Sequence, residues 1–118
     1  METLTAEICS RHNVDIEKLQ ELNLQIHKMK NFDELADLLA MMGNPTRLRI
    51  LYLLAISQEL CVCDIADILR MTVSAISHQL RRLRDRKVIT SRRDGQVIIY
   101  RLTDGPINAV IKDLFNLE

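Results

Sequence analysis

Residues 60–86 read LCVCDIADILRMTVSAISHQLRRLRDR, and the fold follows from how that stretch divides. Leu60 to Leu69 reads as one helix and Thr72 to Arg86 as another, with the short joint Arg70-Met71-Thr72 between them. Ala66 supplies a small residue where two such helices would cross, which is the layout of a helix-turn-helix. In the second helix Val73, Ile76, Leu80 and Leu83 recur at helical spacing and are expected to face the core. Ser74, Ser77, His78, Arg81 and Arg82 then point outward, with Gln79 as a further candidate.

Working outward, Val88–Ser91 and Gln96–Leu102 are rich in β-formers, and Arg92-Arg93-Asp94-Gly95 links them. Asp-Gly between alternating apolar runs signals a hairpin, whose tip would carry the two arginines. A helix-turn-helix (60–86) followed by a basic hairpin (88–102) is a winged helix. Upstream, residues 1–14 show no period and read as an arm. Leu19, Leu22, Ile26 and Met29 form one apolar stripe on a first helix. A second helix, Asp33–Met42, would turn Leu35, Leu38, Leu39 and Met42 inward until Gly43-Asn44-Pro45 breaks it. Pro45 opens a third, with Leu48, Ile50, Leu51 and Leu54 inward. Thr103 or Asp104 is expected to cap a last helix (103–118) striped by Ile107, Val110, Ile111 and Leu114. The expected architecture is mainly α with a small β-hairpin, one winged-helix domain over 1–118.

The composition agrees. The chain has 118 residues, 3 Gly, 2 Pro and no Trp, so aliphatic side chains must fill a helical core. No apolar run is long enough for a membrane span, and the N-terminus lacks the layout of a signal peptide, so the cytoplasm is the expected compartment. Three cysteines in a reducing compartment read as ligands, sensors or core residues, not as a disulfide framework.

The formal net charge of zero conceals an asymmetry. Residues 70–101 carry nine Arg/Lys against Asp85 and Asp94, while the segments on either side are net negative. A positive block confined to one stretch is the footprint of a nucleic-acid surface. The bland alternatives are a solvated helix face, or a winged helix used for protein contacts. For a duplex, the small polar residues Ser74 and Ser77 could approach base edges, and His78 and Gln79 offer major-groove donors and acceptors. Arg81, Arg82 and Arg84 suit phosphates, as do Arg92 and Arg93 on the wing. One winged helix reads few base pairs, so a homodimer on double-stranded operator DNA is expected, joined through the first and last helices.

Cys61 and Cys63, one residue apart beside a DNA-reading element, suggest that a soft metal ion or an oxidant changes how that element sits. On a regular helix, positions i and i+2 point about 200° apart. Both lie on the helix read from Leu60 to Leu69, so they can share an ion only where its start is loosened. Thiolates select soft ions over calcium or magnesium. Three thiolates suit arsenite or lead, and a fourth ligand from His12, Asp64 or water would suit tetrahedral cadmium or zinc.

Glu59–Ala66 and Val73–Leu83, with Gly43–Leu51 before them, resemble the ArsR/SmtB family of metal-responsive repressors. The likeness spans roughly residues 33–103, and Cys61-Val62-Cys63 marks one branch of the family. It implies operator binding without metal and release on binding cadmium, lead, zinc or arsenite, with no organic cofactor. The third cysteine of the arsenite-sensing pattern is missing from Asp64–Ile68. The arm offers Cys9 and His12, so the chain looks more like the cadmium/lead group, with Cys61, Cys63, Cys9 and His12 as the implied ligands. Two rivals remain: a repressor of the same fold sensing oxidants or reactive sulfur, and a thiol-redox enzyme. The latter would need a thioredoxin-like βαβ pattern. The chain also lacks a phosphate loop, paired carboxylates and a nucleophile triad, so an enzyme is not expected.

Overall fold

Pro45 and Asn44 set the first framework helix of the fold. In a computed structural model describing residues 13–118, α3 (Pro45–Ser57) starts with Pro45 in its first turn. Asn44 Oδ1 accepts a hydrogen bond from the Arg47 amide at 3.1 Å. Cys9 and His12 lie outside the described residues.

The chain divides into two units, Met1–Phe32 and Asp33–Glu118. In the first, α1 (Ile16–Lys28) is capped by Asp15, whose carboxylate accepts from the Lys18 amide at 3.0 Å. The expected stripe forms, but no residue of this helix is buried. Ile16, Leu22 and Ile26 on it, and Met29 just after it, stay about half exposed.

The second unit holds α2 (Phe32–Met42) from its second residue on, then α3. Next come β1 (Glu59–Cys61), α4 (Val62–Leu69), α5 (Val73–Asp85), β2 (Ile89–Asp94), β3 (Val97–Leu102) and α6 (Pro106–Leu114). Its core is aliphatic: Ile50, Leu51 and Leu54 of α3 meet Ile65 of α4, Ile76, Leu80 and Leu83 of α5, Ile89 of β2 and Ile111 of α6. Ala66, 3% exposed, is the small residue in this cluster on the first helix of the pair.

Both helices of the helix-turn-helix end by the same device. Arg70 takes a left-handed backbone (φ 55°), its amide bonds Asp67 O, and the Met71 amide reaches Ala66 O at 3.0 Å. Lys87 (φ 61°) repeats this, with its amide on Arg84 O and the Val88 amide on Leu83 O. These paired bonds satisfy the last helical carbonyls and turn the chain sharply. Thr72 starts α5 by accepting from the Ala75 amide at 3.1 Å.

Several details differ from expectation. The segment Glu59–Cys61 is a strand, not the head of a helix, so the wing is a three-stranded antiparallel sheet in the order β1-β3-β2. Three residues carry no readable period, and it is pairing with β3 that holds them extended. Arg92 and Arg93 lie within β2, not at the hairpin tip. Asp94 pairs with Val97, so the loop is Gly95-Gln96, with a positive φ (67°) at Gly95 alone. That places the glycine first in a two-residue turn, the position a type II′ turn reserves for it. Val73 is 46% exposed because Thr72 takes the cap and leaves Val73 at the very start of the helix, beyond the core. Leu35, Leu39 and Leu114 are also exposed, whereas Leu38 packs against the core and Met41 and Met42 are buried. Asp104 does not cap α6, whose N-cap is Gly105, and neither does Thr103. Its hydroxyl instead donates to Lys87 O and Val88 O, tying the end of the wing to its beginning. No described helix is long and apolar enough to cross a membrane.

Candidate nucleic-acid interface and thiol pair

The buried stripe of α5 fixes what its other side presents. With Ile76, Leu80 and Leu83 inward, Ser74, His78 and Arg81 follow at i, i+4 and i+7 on the opposite face, and all three are exposed. Ser77 sits half-buried at its margin, and Arg82 and Arg84 are exposed in the last turn, where the helix dipole favours cations.

Gln79 is placed differently. Three residues after Ile76 and one before Leu80, it flanks the core stripe and is half-buried. Its Oε1 accepts from Arg47 Nη1 at 3.1 Å. Arg47, on α3, is 8% exposed and also donates from Nε to Met41 O at 2.7 Å. Burial first, and the Arg82 charge second, pull its guanidinium below the ordinary arginine range. Arg47 escaped the sequence reading, yet it stands at i with Ile50, Leu51 and Leu54 at i+3, i+4 and i+7. An arginine in phase with a buried stripe was the available signal.

On the wing, the Arg92 guanidinium forks onto the Glu59 carboxylate of β1: Nη2 donates to Oε1 at 3.1 Å and Nη1 to Oε2. This hydrogen bond holds the Glu59 carboxyl below the usual carboxylate range and raises Arg92. Both side chains remain substantially solvent-exposed. Arg93, exposed and paired in register with Ile98, makes no ion pair among the described residues. Glu59 was the second residue missed, because a three-residue strand hides its cross-strand neighbours.

The thiols straddle a junction. Cys61 ends β1 in register with Ile99 of β3, and Ile99 in turn pairs with Arg92 of β2. Paired residues share a sheet face, so Cys61, Ile99 and Arg92 form one row, flanked on that face by Glu59, Arg101 and Thr90. Cys61 is also the N-cap of α4 in an extended conformation (φ −86°, ψ 164°), with no side-chain capping bond. Cys63 is exposed in the first turn, and both are free thiols. The expectation that both lie on one helix is therefore corrected, and the opposed directions of i and i+2 helical positions do not constrain the pair. Two soft donors at an accessible edge suit a thiophilic ion. Among the described residues, however, no three cysteine, histidine or acidic side chains converge on a cage. Cys9 and His12 fall outside the described residues.

A helix with a polar, basic outer face, a short helix before it and a basic wing after it define a winged-helix DNA-binding regulator. Residues 44–91 match the profile of the arsR family of bacterial regulatory proteins. The chain belongs to that family. It is 31% identical to a transcriptional repressor SmtB homologue of Synechocystis over 91% of this chain and 80% of that protein. It is 27% identical to a cadmium resistance regulatory protein CadC homologue of Staphylococcus aureus, over 95% and 92%. The crystal structure of the transcriptional regulator HlyU from Vibrio vulnificus superposes with a TM-score of 0.71 at 34% identity, covering 80% of this chain and 96% of that one. These relatives are named as regulators and repressors, not as enzymes.

Proposed function

We propose that this protein is a transcriptional repressor that releases its operator when a soft metal or metalloid ion binds at Cys61 and Cys63. The observation that carries this reading is the double role of Cys61, last residue of a wing strand and first cap of the helix-turn-helix. Cys61 and Cys63 would hold the ion, completed by Cys9 and, for a four-coordinate ion, His12. A thiophilic cation bound there supplies strong, geometry-demanding bonds to thiolates. Closing Cys61 and Cys63 onto one centre reorients the strand-to-helix junction. That junction precedes α5 and pairs with β3, so both DNA-contacting elements feel it. The relative named for cadmium resistance supports an ion of this class, with lead, zinc and arsenite as the other candidates.

Ser74, Ser77, His78 and Arg81 read the groove in this proposal, and Arg82, Arg84 and Arg93 hold phosphates. The protein acts as a two-fold dimer. The uncovered apolar stripe of α1 and exposed Leu114 of α6 support that assembly, because neither is satisfied within its own unit.

The experiment is a titration of protein-bound duplex with cadmium, lead, zinc or arsenite, followed by DNA anisotropy and by thiolate-to-metal absorption. One of these ions should weaken DNA binding by roughly 5–150-fold, the usual range of allosteric coupling. Cys61→Ser and Cys63→Ser should lose both the absorption band and the release. Release that survives in both variants would place the sensor elsewhere.

A further inference from the structure

We propose that Arg47 is the positioning residue of the recognition helix, and that Gln79 is its strut and not a reader of bases. The inference rests on operator reading by α5 and is independent of the metal.

The geometry is specific. An arginine only donates, so the Gln79 atom facing Arg47 Nη1 must be the amide oxygen. A glutamine reading adenine needs that oxygen and its amide nitrogen together. With Oε1 committed to Arg47, the bidentate mode is closed. Phase agrees, since Gln79 borders the buried stripe while Ser74, His78 and Arg81 occupy the outer face.

Arg47 is itself held at two further points. Its amide is bound by the Asn44 side chain, and its Nε by the carbonyl of Met41 at the end of α2. One planar, nearly buried guanidinium thus links the close of α2 and the start of α3 to the middle of α5. A rotation of α5 about its own axis would break the Gln79 bond and leave a part-buried donor unpaired. The tether therefore sets which side chains of α5 face the duplex, and so the discrimination between sequences.

Arg47 is 8% exposed with Nε and Nη1 already bound inside the protein, so its role is distinguished from that of a phosphate-binding charge by the salt slope. The test uses full-length protein and two probes: a duplex selected by the wild-type protein from a randomised pool, and a scrambled duplex of equal length. Arg47→Met should lower affinity for the selected duplex about tenfold, as expected for loss of a buried bond to a charged group. Its affinity for scrambled duplex and its salt slope should stay unchanged. Gln79→Leu should match it, the double variant should be no worse than either, and Gln79→Glu should keep discrimination because a carboxylate accepts from the same guanidinium. If Arg47→Met fails to fold, the contrast between Gln79→Leu and Gln79→Glu decides alone. Three results overturn the proposal: relaxed preference at a single base pair in Gln79→Leu, a flatter salt slope in Arg47→Met, or unaltered discrimination in Gln79→Leu.

Discussion

Glu59 and Arg92 join the two outer strands of the wing across β3, carboxylate to guanidinium, one pair of residues away from Cys61. A guanidinium forked onto a carboxylate is not free for a phosphate. On the proposed reading of the wing as a phosphate-binding element, Glu59 competes with DNA for one of its arginines, on the strand that leads into the thiol junction. Glu59→Gln should raise affinity for any duplex and steepen the salt dependence by roughly one unit, the increment for one additional phosphate contact. Anisotropy titrations at several salt concentrations check this. An unchanged slope would mean that Arg92 never meets the backbone.

The two wing arginines should consequently behave unequally. Arg93, with no acidic partner among the described residues, is free to contact phosphate, whereas Arg92 must first leave Glu59. Arg93→Ala should flatten the salt slope by roughly one unit, and Arg92→Ala by clearly less. In the Glu59→Gln background the two losses should become similar. Equal losses in the wild-type background would show that the ion pair does not restrain Arg92 in solution.

The same pair predicts an acid response. The Arg92 hydrogen bond depresses the Glu59 carboxyl; desolvation opposes it, and the Arg92 and Arg101 charges add to the lowering. A depressed carboxyl stabilises the fold at pH values above its unfolded value of about 4.3. That contribution disappears as pH falls through the lower folded value. Both groups are exposed, so thermal stability should barely register it. Carbon NMR of the Glu59 carboxyl should show a midpoint below the ordinary glutamate value, and Arg92→Ala should move it upward. A midpoint indifferent to Arg92 would rule the pair out.

Periodicity carried most of the fold. The stripes through Ile50, Leu51 and Leu54, through Ile76, Leu80 and Leu83, and through Ile107 and Ile111 are all buried as read. It failed at the start of α5, where Thr72 takes the N-cap and pushes Val73 into solvent, and inside α2, where Leu35 and Leu39 are exposed. Val73→Thr should then cost under about 0.5 kcal/mol, as surface changes do, against about 2–5 kcal/mol for Ile76→Ala in the core. Chemical denaturation distinguishes them, and comparable losses would return Val73 to the interior. The site was legible as residue types but not as partnerships. Cys61, Cys63, His78 and the arginines stand out in the sequence. The bonds of Arg47 with Gln79 and of Glu59 with Arg92 span 32 and 33 residues, and no local pattern encodes such contacts.

The junction itself gives a prediction that separates the two cysteines. Cys61 occupies the N-cap of α4, where Ser, Thr, Asp or Asn is usual, and its side chain makes no capping bond. A hydroxyl there can accept from a first-turn amide. Cys61→Ser should thus stabilise the metal-free protein by about 1 kcal/mol, or roughly 4 °C in Tm. Cys63→Ser, in the first turn of the helix and exposed, should leave Tm nearly unchanged. Both variants should lose the proposed ion-driven release, so a gain in Cys61→Ser exposes what the thiol costs the resting fold. A helix start left uncapped is easier to reorganise when its cap residue becomes a ligand. Calorimetry of the two variants with chelator present is the measurement, and a lower Tm for Cys61→Ser than for Cys63→Ser would contradict the capping argument.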